Sequence, residues 1–195
     1  MIERGYGDKL RMWAYSRVDT IRRPDILNLV RGAGIRWLGI GIESGDKNVR
    51  LEVQKGKFED VDINEVVRQV EDADINVMAN YIFGLPTDTH DSMRKTQDLA
   101  LELSTLGWNG YAAMPLPGSQ LYKDALEAGY DLPQDYEGYS FHAYNTKPIP
   151  TDNLTSKEIL KFRDESYLEY HQSEKFLSKV KEKYGQGAVD NILKN

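Results

Sequence analysis

Two polar side chains and a glycine close the otherwise apolar stretch Arg36–Gly45, which reads RWLGIGIESG. Alternation of apolar and small residues is typical of a buried parallel strand. Glu43 and Ser44 therefore fall at the carboxyl end of a strand, the edge at which parallel α/β sheets bind their ligands. A carboxylate accepts hydrogen bonds from hydroxyl and ammonium groups, so Glu43 is a candidate binding residue. The alternative interpretation is that Glu43 only caps the helix that follows.

The other three predicted strands also end in polar, glycine or proline residues. The carboxyl ends of parallel strands meet at one edge of the sheet, so these residues are predicted to share that edge with Glu43. The three strands are Leu10–Val18, Ile75–Gly84 and Trp108–Met114, and at or near their ends they carry Arg17, Asn80, Gly84, Met114 and Pro115.

Apolar residues at helical spacing separate these strands along the chain. Three strand–helix repeats and a fourth strand predict a right-handed parallel sheet of the TIM-barrel-like type. The predicted fold class is α/β, a partial parallel (β/α) barrel of about four strands with a helical C-terminal extension. The connecting helices are predicted to begin near Pro24 and to cover Val61–Ala73 and Asp88–Leu106.

The character of the sequence changes near residue 130, which suggests a barrel part over 1–130 and a loop with a helical extension over 131–195. Asp131–Pro150 is rich in tyrosine, proline and glycine and predicts an ordered loop. Thr155 and Glu158 have the spacing of a capping box, and Glu158–Tyr184 predicts a long helix. At the other end of the chain, Ile2–Lys9 is predicted to be the end of a helix.

Composition excludes several classes of function. The net charge of -6, without a basic stripe, argues against a nucleic-acid partner. No apolar run approaches the roughly 20 residues that span a bilayer, and no signal peptide is recognisable, so we expect a cytoplasmic protein. The 3 histidines lack metal-ligand spacing, so no metal site is expected. The 0 cysteines exclude disulfides and thiolate ligands for an iron–sulfur cluster within this chain.

Four motifs in order carry a family resemblance. Together they resemble the later strands of a radical S-adenosylmethionine (radical SAM) enzyme barrel, most closely the branch with a cobalamin-binding domain ahead of the barrel. The resemblance extends from Leu10 to Tyr122. The motifs are SRVD at Ser16–Asp19, AGIRWLGIGIESGD at Ala33–Asp46, NYIFGLPTDT at Asn80–Thr89 and AMPLPGSQLY at Ala113–Tyr122.

The resemblance implies a set of cofactor contacts, with S-adenosylmethionine lying across the carboxyl edge of the sheet. Glu43 and Ser44 would contact its ribose and methionine part, and Arg17 would approach its carboxylate or the substrate. The backbone near Asn80 and Gly84 would support the adenine, with the glycine allowing close approach. The apolar wall beside the adenine would consist of Met114 and Pro115.

Structural interpretations of the same residues stand beside these contacts. Arg17 could pair with Asp19 or Glu43 instead of a ligand. The amide of Asn80 could satisfy a backbone group of the sheet, and Met114 could simply fill the core.

The chain also departs from the family, because the family's CxxxCxxC cluster loop has no counterpart here. The first strand of this chain resembles the third strand of the family. The resemblance therefore implies the back half of an enzyme that would hold S-adenosylmethionine and a 4Fe-4S cluster, and it leaves open whether a preceding domain holds cobalamin. Such an enzyme forms a 5′-deoxyadenosyl radical and abstracts a hydrogen atom from its substrate. This chain would position cofactor and an unknown substrate, and no catalytic residue is assigned to it.

The missing N-terminal barrel strands would then belong to the same chain or to a partner chain. The alternative is a stand-alone, non-catalytic half-barrel that acts as a binding or partner module. Without those strands the first strand, Leu10–Val18, would present an unpaired edge, which predicts a possible edge-strand homodimer.

Overall fold

The computed structural model describes residues 2–54 and 61–194. Within these ranges, four strands form one parallel sheet, and their order in the sheet is their order in the sequence. The predicted fold class is confirmed: helices connect consecutive strands, as in a partial (β/α) barrel. The strands are β1 (Met12–Arg17), β2 (Ile35–Glu43), β3 (Asn76–Phe83) and β4 (Gly107–Ala112).

The helices lie close to their predicted positions, because the apolar stripe of each connecting helix packs on the sheet. Capping boxes begin two of them, at Thr89 and at the predicted Thr155. The helices are α1 (Val18–Ile21), α2 (Pro24–Gly32), α3 (Lys47–Gln54), α4 (Ile63–Asp72), α5 (His90–Leu103), α6 (Gln120–Glu127), α7 (Ser156–His171), α8 (Glu174–Tyr184) and α9 (Gln186–Ile192), with a short 3-10 helix at Glu137–Tyr139.

Two helix predictions were wrong in detail. Ile2–Lys9 forms turns and not the end of a helix. The predicted helix Glu158–Tyr184 is two helices, because Ser173 interrupts it and caps α8 by accepting a hydrogen bond from the amide of Phe176. The charged residues that follow Gly45 form α3, and residues 55–60 lie outside the described residues.

The sheet has one face covered by helices and one face that we call the inner face. Alternate residues of β2 and β3, such as Ile40 and Tyr81, are fully buried in the main core with the helices. The intervening residues of these strands point to the inner face. The exposed residues of β1 lie on the same face, with Trp13 51% exposed and Tyr15 68% exposed. Gly39 leaves room for Tyr15, since a Cβ at residue 39 would lie 2.6 Å from the tyrosine ring.

The C-terminal helices belong to the same core as the strands. Ile159 and Tyr170 of α7 and Phe176 of α8 are buried in one continuous cluster with the residues of β2, β3 and β4. The segment before α7 is irregular apart from the 3-10 helix, in agreement with the predicted loop. Among the described residues, no helix combines the length and apolar character needed to cross a bilayer.

Candidate functional site

Register places four residues side by side across the inner face, near the carboxyl edge of the sheet. Arg17 lies beside Gly41, Gly41 beside Asn80, and Asn80 beside Asn109. Side chains at the same level of neighbouring strands point to the same face. The inner face therefore carries a polar row at this level, with an open position at the glycine.

Glu43 lies one step above this row, after an irregularity in the pairing of β2 with β3. Its φ of 67° is in the left-handed region that non-glycine residues seldom adopt. The carboxylate folds back over Gly41, where a Cβ would collide with Glu43 Oε1. The glycine at residue 41 therefore makes room for this carboxylate.

The Glu43 carboxylate is half-buried, and burial raises its pKa above the usual range. No hydrogen bond or ion pair joins it to another residue within 2–54 and 61–194. A desolvated carboxylate without a partner is costly in a folded protein. Such a group is suited to accepting hydrogen bonds from a ligand.

Arg17 lies at the end of β1 with half of its side chain exposed. It donates two hydrogen bonds to Asp19, from Nε at 3.0 Å and from a terminal nitrogen at 2.9 Å. Hydrogen bonding to Asp19 raises the pKa of Arg17 and lowers that of Asp19. The structural interpretation of Arg17 as a partner of Asp19 is therefore observed, and the guanidinium still lies at the edge of the inner face.

Ser44 points away from the inner face and is fully buried against α5. Its hydroxyl lies 3.2 Å from Thr96 Oγ1 and accepts a hydrogen bond of 3.1 Å from the amide of Asp46. Thr96 Oγ1 also accepts a 2.9 Å hydrogen bond from the amide of Gly45. Ser44 and Gly45 therefore fasten the end of β2 to α5 and thereby position Glu43.

Asn80 is buried on the inner face with all its polar atoms satisfied. Its amide nitrogen donates to the carbonyls of Ile40 at 3.2 Å and Met78 at 3.1 Å, and its oxygen accepts a 2.9 Å hydrogen bond from Asn109. Asn80 satisfies backbone groups of the sheet, as the structural alternative predicted. Sequence analysis missed Asn109, although its position in β4 matches that of Asn80 in β3.

Gly84 ends β3 with a φ of 78° and packs on the helix side of the sheet. A Cβ at this residue would lie 2.6 Å from Ile159 Cδ1 of α7. The side chain of Asp88 accepts 2.9 Å hydrogen bonds from the amides of Gly84 and Leu85. The glycine thus allows close approach of a helix, and its amide is already bound within the protein.

Asp88 is a second residue that sequence analysis missed. Its carboxylate is almost completely buried, and burial raises its pKa although the Ser92 hydroxyl and two amides donate to it. The signal was present in the spacing of GLPTD, where an acidic residue four positions after a glycine closes a turn. Asp88 shapes the turn beside the carboxyl edge.

Met114 and Pro115 are both buried just beyond β4. The carbonyl of Met114 accepts a 2.9 Å hydrogen bond from the amide of Leu116, which forms a tight turn. Both residues follow directly after β4, and their contact with an adenine stays a prediction. Among the described parts of the chain, no group of three histidine or acidic residues has the arrangement of a metal site.

No protein-family model matches the chain. Over 164 residues, or 82% of the chain, it is 28% identical to anaerobic magnesium-protoporphyrin IX monomethyl ester cyclase of Cereibacter sphaeroides, of which it covers 25%. It is 23% identical over 85% of its length to an uncharacterized methyltransferase of Pyrococcus horikoshii, of which it covers 35%. The chain thus spans between a quarter and about a third of these curated relatives.

A solved structure of TsrM of Kitasatospora setae, a radical S-adenosylmethionine methyltransferase, overlaps 56% of this chain and 22% of its own, with a TM-score of 0.48 and 22% identity. The chain is thus similar in sequence to the two curated proteins and, over part of its length, to this radical S-adenosylmethionine methyltransferase. The curated relatives match more than four-fifths of its length. The radical SAM resemblance seen in the sequence agrees with these similarities, while the individual cofactor contacts stay predictions.

Proposed function

We propose that this chain forms the later strands of a radical SAM domain and uses its carboxyl edge to position S-adenosylmethionine and a substrate. The single observation that carries the proposal concerns Glu43. Its backbone is in the left-handed region, and its half-buried carboxylate has no partner among the described residues. Strained backbone and unpaired polar groups concentrate at functional sites. The choice of S-adenosylmethionine as the ligand is supported by the radical SAM resemblance of the chain.

The polar groups at this edge suit a nucleoside with an amino-acid tail. The Glu43 carboxylate can accept hydrogen bonds from ribose hydroxyls or from the ammonium group of the methionine part. Arg17 can turn from Asp19 towards a carboxylate, since its guanidinium is half exposed. Ser44 and Asn80 act indirectly in this proposal, because their hydrogen bonds hold the strand ends in place.

The proposed adenine contacts lie at the ends of β3 and β4. Gly84, Met114 and Pro115 form the backbone and apolar wall on that side, and Asp88 fixes the turn. The amide of Gly84 is occupied by Asp88, so the adenine would be supported by van der Waals contact and by carbonyl groups.

The chain does not fit an iron–sulfur cluster, because its 195 residues include 0 cysteines and so offer no thiolate ligand. We propose that the cluster, and cobalamin where the enzyme uses it, are held by residues outside this sequence, in the same or a partner chain. Those groups supply the radical chemistry when bound. The part played by this chain is to bind and orient.

The unpaired outer edge of β1 is the proposed contact with those other residues. β1 is the first strand of the sheet within the described residues, and its outer side pairs with no other described strand. An edge of this kind accepts a further strand. An edge-to-edge homodimer remains the second proposed occupant.

The test is a nuclear magnetic resonance titration of the 195-residue chain with S-adenosylmethionine. We expect dissociation constants no tighter than the millimolar range, because no cluster iron holds the methionine end. Backbone amides of Gly41, Glu43 and Asn80 should shift, and Glu43→Gln should abolish these shifts. Glu3→Gln, a change of the same type at an exposed residue, is the matched control.

Shifts confined to other parts of the chain, or equal shifts in the Glu43→Gln variant, would contradict the proposed site. Micromolar binding to the wild-type chain would contradict the proposal that the methionine end is held elsewhere.

A further inference from the structure

A cavity lies at the amino-terminal edge of the sheet, opposite the edge of the proposed cofactor site. An inference about it goes beyond the proposed function. Its volume is about 320 Å³, and we call it the amino-edge cavity. It lies at the level where β1 and β2 begin, between the starts of these strands and the end of α8. The residues that carry the argument are Arg11, Trp13, Arg36, Trp37 and Lys183.

Two indole rings form the apolar part of this cavity. Trp13 and Trp37 are neighbours in the pairing of β1 with β2, so both rings project from the same face at the same level. Trp13 is 51% exposed and Trp37 is half-buried. Exposed tryptophan faces are efficient surfaces for stacking of a flat ring.

Three cations line the cavity without a carboxylate partner among the described residues. Arg11 donates to the carbonyls of Asp8 and Leu10, and Lys183 donates to the side-chain oxygen of Asn76. Arg36 donates only to backbone carbonyls, at 2.7 Å, 3.3 Å and 3.0 Å. Their hydrogen-bond partners are neutral oxygens, and the acidic groups that act on them through space are Asp74, near Arg36 and Lys183, and Asp8, near Arg36.

Charge crowding is evident at Arg36. Burial lowers its pKa and the neighbouring cations Arg31 and Arg11 lower it further, against the smaller opposite effects of Asp8 and Asp74. Asp74 is the acidic side chain that lines the cavity, and it is already paired with Arg31. A cluster of positive charge beside two indoles is unusual in a chain whose net charge is -6.

We propose that the amino-edge cavity binds an aromatic anion, that is, a flat ring that carries a phosphate or carboxylate group. The ring stacks on Trp13 and Trp37, and the anionic group accepts hydrogen bonds from Arg11 and Lys183. Both halves of the ligand are required, because the cations are largely exposed and give little affinity alone.

The test uses 1-naphthyl phosphate as the probe in a nitrogen–proton correlation spectrum of the full chain. The sequence has 3 tryptophans, so three indole N–H signals report the site directly. We expect the signals of Trp13 and Trp37 to shift, while Trp108, buried in the main core, stays unchanged. Inorganic phosphate alone and 2-naphthol alone should each bind at least about tenfold more weakly.

Substitutions distinguish binding in the amino-edge cavity from a general effect of the charge of the chain on affinity. Lys183→Gln and Arg11→Gln should each weaken binding about fivefold or more. Lys181→Gln is the matched control, because Lys181 lies in the same last turn of α8 but does not line the cavity. Glu43→Gln should leave the affinity unchanged, so the test is independent of the proposed cofactor site.

Unmoved Trp13 and Trp37 signals at millimolar probe would overturn the proposal. Equal binding of phosphate alone would overturn it as well, since the rings would then contribute nothing. If Lys181→Gln weakened binding of the probe as much as Lys183→Gln, only the overall charge of the chain would matter. That result would also contradict a specific binding site.

Discussion

At residue 43, a glutamate occupies backbone geometry that glycine adopts more readily, and its carboxylate is half-buried without a described partner. Two free-energy costs therefore fall on one side chain, one from strain and one from desolvation. Natural proteins accept such costs where activity depends on the residue. The site proposal consequently makes a prediction about stability as well as about binding.

Glu43→Gln should raise the free energy of unfolding by on the order of 1 kcal/mol at neutral pH. The pKa of Glu43 is raised in the folded state above its ordinary value of 4.5, so ionisation costs folding free energy. This cost is fully present above the folded pKa and disappears as the pH falls below 4.5. Urea denaturation at neutral pH and near pH 4 should show the gain and then its loss.

Glu3→Gln serves as the control for Glu43→Gln, since Glu3 is exposed in a turn. An equal gain in both variants would point to net charge and not to burial. A loss of stability in Glu43→Gln at neutral pH would contradict the absence of a partner for the carboxylate.

Gly84 and Gly118 provide a matched pair for separating packing from backbone strain. Both have positive φ, 78° and 91°, but a Cβ at Gly84 would meet Ile159 whereas a Cβ at Gly118 would meet nothing within 4 Å. Gly118→Ala should cost about 1 kcal/mol from strain alone. Gly84→Ala should cost about 2–4 kcal/mol, because α7 must also move.

Urea denaturation measures both glycine variants on the same scale. Similar losses in the two variants would show that Ile159 moves aside freely and that α7 does not pack tightly on the end of β3.

Sequence alternation placed Glu43 at the carboxyl end of β2, where the structure has it, but it did not distinguish the face of Ser44 from that of Glu43. Residues 38, 40 and 42 of β2 face the helices, so a period of two places Ser44 on that side as well. A hydroxyl on the helix side of the sheet forms a hydrogen bond with the helix packed against it, here α5. Alternation alone could have separated the two residues, whereas the contact with Thr96 of α5 depends on tertiary packing that the sequence does not display.

At the scale of elements, α5 ends at a residue that is unfavourable in two ways. Ser104 has a φ of 47°, and its hydroxyl is buried without a partner among the described residues. Ser104→Gly should therefore raise the free energy of unfolding by about 1–2 kcal/mol, since it removes both the strain and the unpaired group. The hydrogen bond from Lys179 is retained, because it goes to the backbone carbonyl of residue 104.

Asp74→Gly is the control for Ser104→Gly. Asp74 has a similar φ of 58°, but its carboxylate pairs with Arg31 and that pairing lowers its pKa. Asp74→Gly removes the ion pair with Arg31. The increase in midpoint temperature of thermal denaturation should therefore be smaller for Asp74→Gly than for Ser104→Gly. The reverse order would contradict the account of the buried hydroxyl.

Strands and connecting helices could be predicted because each carries its own periodicity. β2 alternates, α4 has a clear apolar stripe, and Pro24 marks the first turn of α2. The break between α7 and α8 was missed, because good helix formers flank Ser173 on both sides. Only the capping contact at Phe176 distinguishes a new helix from a continued one.

At the scale of the whole molecule, the C-terminal helices and the sheet share one core. Tyr170 is fully buried, and its hydroxyl donates a 2.6 Å hydrogen bond to the carbonyl of Thr105. The division of the chain at residue 130 was based on composition and stays a prediction. A shared core favours joint unfolding of the two parts.

Tyr170→Phe should lower the free energy of unfolding by about 1–3 kcal/mol, because the Thr105 carbonyl loses its donor in a buried site. Tryptophan fluorescence reports the sheet and far-ultraviolet circular dichroism reports the helices. Both transitions should move together in Tyr170→Phe. Separate midpoints, with only the helical signal displaced, would contradict a single cooperative unit.

The spatial order of the strands repeats their order in the chain. A sheet with this strand order can gain strands one at a time at its edge. A new strand–helix unit placed before β1 would pair with the outer edge of β1 and leave every existing register unchanged. No established pairing has to be broken, and the chain never has to be threaded through itself. Architectures of this kind can gain or lose whole units during evolution without redesign of the units that remain.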